Sequence, residues 1–185
     1  MYLLAFKQEI KEYTNESSLG VCYANGWGVQ KNEDLADWWY RKAAEQGYWN
    51  AQLSLGGCCY RGEGVAVDKE EAVKWYLAAA EQDNAEAQYL LSTHFFRGDG
   101  IERSLSQAVK WCRRSAQLGD DRAQYSMGVC HANGLGVTKS ILDAVQWWRM
   151  AADQGNADAQ CEMGVYCSTD EQDPEATPEK AVEWW

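Results

Sequence analysis

The sequence lacks the features of a membrane protein and of a nucleic-acid-binding protein. No apolar run approaches the roughly 18–20 residues of a membrane-spanning helix. The N-terminal stretch MYLLAFKQEIKEYT has no basic flank, and its apolar segment is too short for a signal peptide. Lysine and arginine number 17 against 28 acidic residues, a net charge of -11, and form no concentrated basic face for phosphates. We therefore predict a cytoplasmic protein without a nucleic-acid or membrane partner.

The chain also lacks paired cysteines and catalytic motifs. An odd number of cysteines, with no pair recurring at regular intervals, is a poor disulfide framework. Free cysteine commonly acts as a small buried apolar residue, which favours a reducing compartment. The two histidines, His94 and His131, lie in no motif such as H-E-x-x-H or G-x-S-x-G, so we predict that the protein is not an enzyme. The seven cysteines are Cys22, Cys58, Cys59, Cys112, Cys130, Cys161 and Cys167.

What the sequence has instead is a fixed interval of 36 residues. A period between 20 and 50 residues indicates one supersecondary unit stacked on copies of itself. The recurring residues are the alanines Ala51, Ala87, Ala123 and Ala159, the glycine pairs Gly26/Gly28, Gly62/Gly64, Gly98/Gly100 and Gly134/Gly136, and the tryptophans Trp39, Trp75, Trp111 and Trp147.

Residues 51–86 show how one unit is predicted to fold. Apolar residues spaced as one helical face predict a first helix, which ends at the Gly62–Val65 turn. Asp68 then begins a second helix as its N-cap. The corresponding N-cap positions carry Asn32, Ser104, Ser140 and Thr177, and Gly47, Gly119 and Gly155 end the second helix, with Asp83 as the exception. The prediction is an all-α, right-handed α-solenoid (superhelix) of antiparallel helix pairs, with the tryptophans mainly in the core.

The unit resembles the Sel1-like repeat, a relative of the tetratricopeptide repeat. The matching pattern is A-x-x-x-L-G-x-x-Y-x-x-G-x-G-V…A-x-x-W-Y-x-x-A-A-E-Q-G. It covers four full units, 15–50, 51–86, 87–122 and 123–158, and a partial fifth, 159–185. Residues 1–14 do not match, and their apolar stripe predicts a capping helix. The resemblance implies a non-enzymatic protein-interaction module, such as a bacterial adaptor or regulatory scaffold.

Cys22, Cys58, His94 and Cys130 recur at the same position of successive units, which raises the question of a metal site. Equivalent positions in stacked helices lie about 8–10 Å apart, whereas each zinc ligand must lie about 2.0–2.3 Å from the ion. We therefore predict no metal and no cofactor. A site formed by Cys130 and His131 with a neighbouring cysteine stays open.

The candidate binding surface is the face of the first helix that turns away from the second. If the first helix lines the concave side, its exposed aromatic and arginine side chains are typical interface anchors. In an acidic protein, Arg61 and Arg97 suit a partner's carboxylate, although the same residues also fit a merely solvated helix end. The candidate residues are Tyr60, Arg61, Tyr89, Phe96, Arg97 and Tyr125.

Two further possibilities come from the end of the chain and from its setting. Trp184 and Trp185 leave two large aromatics in an incomplete fifth repeat, which predicts either self-association through this edge or a longer native chain. Alternatives to the scaffold are a secreted or translocated effector that binds host protein, and an enzyme or metal-binding protein. The acidic loop Asp170–Glu175 is interpreted as a solvated turn.

Overall fold

The computed structural model describes residues 16–169, and within this range every regular element is a helix. The helices alternate between a first type, called helix A, and a second type, called helix B. The A helices are α1 (Glu16–Asn25), α3 (Trp49–Arg61), α5 (Ala85–Arg97), α7 (Asp121–Asn133) and α9 (Ala157–Thr169). The B helices are α2 (Glu33–Glu45), α4 (Lys69–Ala80), α6 (Leu105–Gln117) and α8 (Ile141–Asp153). The predicted all-α fold of successive helix pairs is confirmed.

The predicted boundary residues explain where each B helix begins. The side chains of Asn32 and Asp68 each accept a hydrogen bond of 2.9 Å from the backbone N–H three residues later. Ser104 and Ser140 make the same bond at 3.4 and 3.2 Å. Each bond satisfies an N–H group that has no partner inside the helix. Thr177, the fifth predicted N-cap, lies outside the described residues.

The predicted glycine turns end the helices. Gly62 follows α3 with φ 76°, and its N–H bonds to the carbonyl of Cys58, a left-handed conformation that suits glycine. Asp83 occupies the position that Gly47, Gly119 and Gly155 occupy in other repeats, and it also has a positive φ of 59°. The backbone of the turn is therefore kept even where the glycine is missing.

The chain divides into two compact units. The first comprises residues 1–87 and 98–102, and its described part contains α1–α4 and the start of α5. The second comprises residues 88–97 and 103–185, and its described part contains the rest of α5 and α6–α9. The fully buried residues of each unit include several alanines and a large side chain of an A helix, such as Leu55 in the first unit and Met127 in the second.

Buried glutamines join the end of one helix pair to the start of the next inside each unit. In the first unit, Gln52 donates to the carbonyl of Ala44, eight residues earlier, at 3.2 Å. The side chain of Gln82 donates in turn to the side-chain oxygen of Gln52 at 2.8 Å. In the second unit, Gln124 repeats both contacts with Ala116 (3.2 Å) and Gln154 (2.8 Å), and Gln160 bonds to Ala152 at 3.3 Å.

The tryptophans predicted to be core residues divide into two groups. Trp111 and Trp148 are buried, with 6% and 5% exposed. Trp39, Trp75 and Trp147 are only partly buried. Full burial instead belongs to the next position along helix B, where Tyr40 and Tyr76 are 5% and 3% exposed.

Candidate functional site

Four of the six predicted binding residues lie around a single cavity in the second unit. Tyr89, Phe96 and Arg97 come from α5, and Tyr125 comes from α7. We call this space the apolar cavity, and its volume is about 320 Å³. Its remaining lining residues are Ser92, Thr93, Leu105, Ala108, Val109, Cys112, Ser126, Val129, Cys130 and Leu135. The volume lies at the lower end of the range of small-ligand pockets.

The other two predicted residues lie in the first unit at the end of α3. Arg61 forms an ion pair with Glu63 at 2.7 Å. The ammonium group of Lys69 lies 5.6 Å from the centroid of the Tyr60 ring. Neither Tyr60 nor Arg61 lines the apolar cavity. Arg61 already forms an ion pair with a carboxylate of the protein itself.

The apolar cavity lies at a position where the other 36-residue repeats carry an aromatic ring. In α2 and α4, the rings of Tyr40 and Tyr76 lie on the backbones of Gly20 and Gly56 of the preceding A helices. A Cβ added to Gly20 or Gly56 would approach these rings to 2.5 or 2.7 Å. The fourth repeat makes the same contact between Trp148 and Gly128.

In the third repeat, both the ring position and the glycine position carry other residues. The ring position is Cys112, and the glycine position is Ser92. Both are buried, with 4% and 5% exposed, and both line the apolar cavity. A cysteine side chain is much smaller than a tyrosine or tryptophan ring, and surrounding structure relaxes only partly around a missing group. The small side chain at residue 112 therefore leaves unfilled the position that a ring occupies in the other three repeats.

Arginine side chains surround one wall of the apolar cavity. Arg97 is the single charged residue among its lining residues, and its side chain has no hydrogen bond or ion pair with residues 16–169. The guanidinium group of Arg122 lies 4.7 Å from the centroid of the Tyr89 ring and forms an ion pair with Asp120 at 2.7 Å. Arg103 lies 5.8 Å from the Phe96 ring centroid. These contacts are within the range of cation–π interactions.

Tyr125, another lining residue of the apolar cavity, has acidic neighbours. Burial raises the pKa of Tyr125, and the nearby carboxylates of Glu162 and Asp158 raise it further because they oppose a second negative charge. An anionic group is therefore disfavoured beside Tyr125.

The first unit contains a second space, which we call the polar cavity, of about 370 Å³. Eight of its ten lining residues lie 72 positions, or two periods, before a residue of the apolar cavity. Its walls carry two ion pairs, Lys31–Glu33 at 2.8 Å and Arg61–Glu63 at 2.7 Å. The residues that line it are Ala24, Asn25, Lys31, Glu33, Ala36, Tyr40, Ser54, Cys58, Arg61 and Glu63.

The thiols of three buried cysteines, Cys58, Cys59 and Cys112, ionise less readily than an ordinary thiol. Burial raises the pKa of Cys58 to about 11 and the pKa values of Cys59 and Cys112 to about 12. The Cys112 thiol donates to the carbonyl of Ala123 at 3.4 Å. Within residues 16–169, no three histidine, cysteine or acidic side chains are arranged to hold a metal ion. Cys130 lies on the wall of the apolar cavity.

Sequence reasoning missed the cavity and several exposed aromatic residues. The signal for the cavity was the column Tyr40, Tyr76, Cys112 and Trp148, in which one member lacks a ring. Trp27, Trp38 and Trp49 lie outside the recurring tryptophan positions and are 64%, 51% and 46% exposed. Residues 1–14, the loop Asp170–Glu175, and Trp184 and Trp185 lie outside the described residues, so the predictions made for them stay predictions. Among the described helices, none is long and apolar enough to cross a membrane.

Comparison with known proteins places these units in a family. The family model described as "Sel1 repeat" matches residues 17–48, 49–84, 85–120, 121–156 and 157–185. The predicted repeat bounds start two residues earlier or later than these matches, and they stay a prediction. Among curated proteins, none matches the chain significantly.

Solved structures give the same result. A Sel1 repeat protein from Oxalobacter formigenes is 35% identical, with a TM-score of 0.82, over 92% of this chain and 70% of that one. The protective antigen c5321 of uropathogenic Escherichia coli is 34% identical, with a TM-score of 0.86, over 91% of this chain. This chain spans only 36% of that antigen. An immunity protein, Pa5087 from Pseudomonas aeruginosa, is 21% identical with a TM-score of 0.59, over 91% of this chain and 62% of that one, which shows a shared fold alone.

Proposed function

Because the chain belongs to the Sel1 repeat family, we propose that it is a non-enzymatic scaffold that binds a protein or peptide through its A helices. Proteins of this family generally serve as scaffolds for protein interactions. The finer role proposed here is that of a bacterial adaptor or regulatory protein. The binding residues are those predicted from the sequence, namely Tyr60, Arg61, Tyr89, Phe96, Arg97 and Tyr125.

The observation that carries this proposal is the grouping of four of these residues around the apolar cavity. Phe96 is 43% exposed at its rim, and aromatic and arginine side chains are the most frequent anchors of protein interfaces. A largely apolar cavity lined by side chains of this kind fits a partner's side chain better than it fits a catalytic reaction, because none of its described lining residues is a base or nucleophile with a lowered pKa.

The test is affinity capture from a bacterial lysate, with the recovered proteins quantified by mass spectrometry. The variant Tyr60→Ala/Arg61→Ala/Phe96→Ala/Arg97→Ala is compared with the wild-type chain. The matched control is Trp38→Ala/Leu142→Ala, which removes two side chains that are 51% and 66% exposed on B helices. We expect a protein that is recovered with the wild type and the control and is lost with the fourfold variant. Equal recovery with all three, each shown to be folded by circular dichroism, would contradict the proposal.

A further inference from the structure

The repeat itself indicates what fits the apolar cavity. In three repeats the equivalent position carries a ring of the protein's own chain, Tyr40, Tyr76 or Trp148, packed on a glycine. In the third repeat the ring is absent, and Cys112 and Ser92 line a cavity of about 320 Å³. A dry apolar cavity of about 150 Å³ in another protein is large enough to take benzene. The space at Cys112 is therefore large enough for an aromatic side chain.

The charges around the cavity indicate what accompanies the ring. In a chain with a net charge of -11, Arg97 is the one charged residue among the described lining residues. Arg103 adds positive charge beside the Phe96 ring, whereas Arg122, beside the Tyr89 ring, is paired with Asp120. A guanidinium group binds a carboxylate with charge-assisted hydrogen bonds, and the acidic neighbours of Tyr125 oppose one beside that residue.

We propose that the apolar cavity binds an aromatic side chain of a partner peptide whose adjacent carboxylate pairs with Arg97. This inference rests on the proposed function, because it names the kind of segment that the scaffold recognises. The carboxylate belongs to the aromatic residue itself at a chain end, or to an acidic residue beside it. The bound ring takes the position that Tyr40, Tyr76 and Trp148 occupy in their own repeats.

The test uses three small probes and a 15N-labelled protein whose amide chemical shifts report binding. N-acetyl-L-tryptophan carries an indole ring and a carboxylate, N-acetyl-L-tryptophanamide carries the ring without the charge, and indole is the ring alone. We expect N-acetyl-L-tryptophan to bind at least threefold more tightly than the other two, with the largest shifts in residues that line the apolar cavity. No binding, or indole binding as tightly as N-acetyl-L-tryptophan, would overturn the proposal.

Two variants separate the ring from the charge. Ser92→Gly/Cys112→Tyr gives the third repeat the glycine and tyrosine of the first two repeats. Because the new ring fills the cavity, we expect this variant to weaken N-acetyl-L-tryptophan binding at least tenfold. Arg97→Gln should bring the affinity for N-acetyl-L-tryptophan down to that for the amide. The control Cys112→Ala keeps the cavity open and should bind within about twofold of wild type, since neither side chain fills the ring position.

The outcome remains decisive if the double variant does not fold. Cys112→Leu then replaces it, because leucine fills part of the same space without requiring a glycine at residue 92. Unchanged binding by a folded filling variant would overturn the inference while leaving the lysate experiment intact. Conversely, if the fourfold variant of the lysate experiment recovers the same proteins as wild type, the proposed function fails, whatever the small probes do.

Discussion

The polar cavity and the apolar cavity occupy equivalent places two periods apart, and their chemistry is opposite. At the ring position, Tyr40 corresponds to Cys112. At the two wall positions, Glu33 corresponds to Leu105, and Glu63 corresponds to Leu135. The backbone of the repeat thus creates the same space in both units. Its side chains decide whether the walls of the space are charged or apolar.

The comparison also separates structural residues from recognition residues. Ala36 and Ala108 line both spaces at one equivalent position, and Ser54 and Ser126 do so at another. These residues set the packing of the helices in both units. Asn25 and Ala24, by contrast, are replaced by Arg97 and Phe96 in the second unit, where an arginine and a large exposed aromatic suit binding.

The largest expected effect comes from giving the polar cavity the side chain of the apolar one. Tyr40→Cys removes a ring that is 5% exposed and whose pKa burial raises to about 12. We expect the free energy of unfolding to fall by about 3–5 kcal/mol, the range for large aromatic residues replaced by small ones in a core. Urea denaturation followed by circular dichroism measures it. The matched change Cys112→Ala should cost about 1 kcal/mol or less, and equal costs for the two variants would break the comparison.

A smaller effect is expected when an acidic wall residue is transferred to the apolar cavity. Leu135→Glu places a carboxylate where Glu63 stands in the first unit, but the residue equivalent to Arg61 is Asn133. We expect a loss of about 1–3 kcal/mol, because the change removes an apolar side chain from the cavity wall and partly buries a carboxylate. Thermal denaturation at pH 7 and pH 4 measures it, and the loss should shrink at pH 4 as the carboxyl group becomes neutral. A loss that is as large at pH 4 would point to packing instead.

The reverse exchange at the ring position should stabilise the protein. Ser92→Gly/Cys112→Tyr fills the apolar cavity, and cavity filling commonly adds about 0.5–2 kcal/mol. Urea denaturation of the double variant against Cys112→Tyr alone tests the glycine requirement, because the Ser92 side chain stands where Gly20 and Gly56 leave room for a ring. A Cys112→Tyr variant as stable as the double variant would show that no glycine is needed.

The smallest effect concerns the ion pair of the polar cavity. The hydrogen bond from Arg61 lowers the pKa of Glu63 below its usual 4.5, so the pair's contribution to stability is complete above about pH 4.5 and disappears as the pH falls through the lowered pKa. Both side chains are about half exposed, which limits the contribution to about 1 kcal/mol or less. Glu63→Gln should therefore lower the melting temperature slightly at pH 7 and not at pH 3. An equal decrease at both pH values would contradict the role of the charge.

The sequence allowed prediction of the backbone because the backbone depends on local signals. The N-caps Asn32, Asp68, Ser104 and Ser140 each act as predicted. Asp83, the predicted exception among the glycines, keeps the positive φ of the turn. These features need only neighbouring residues, and the period of 36 shows them repeatedly.

The candidate site was harder to predict because it depends on contacts between helices. Arg61 had the right spacing to receive a partner's carboxylate, yet Glu63, two residues later, already pairs with it. Trp39 and Trp75 recur at a fixed position and still lie partly at the surface. The apolar cavity is associated with the absence of an aromatic side chain at residue 112. A search for residues that recur does not detect an absence at one position.

The buried glutamines have a consequence for how such a chain changes in length. Gln52 and Gln124 each reach a carbonyl eight residues earlier, and each also receives a bond from the glutamine 30 residues later. Inserting or removing a whole 36-residue unit leaves every one of these spacings intact. We expect that inserting a single residue between the helix end and the glutamine breaks the bond and leaves a buried amide without its partner. Length variation by whole 36-residue units should therefore disturb these contacts less than a small insertion at this turn.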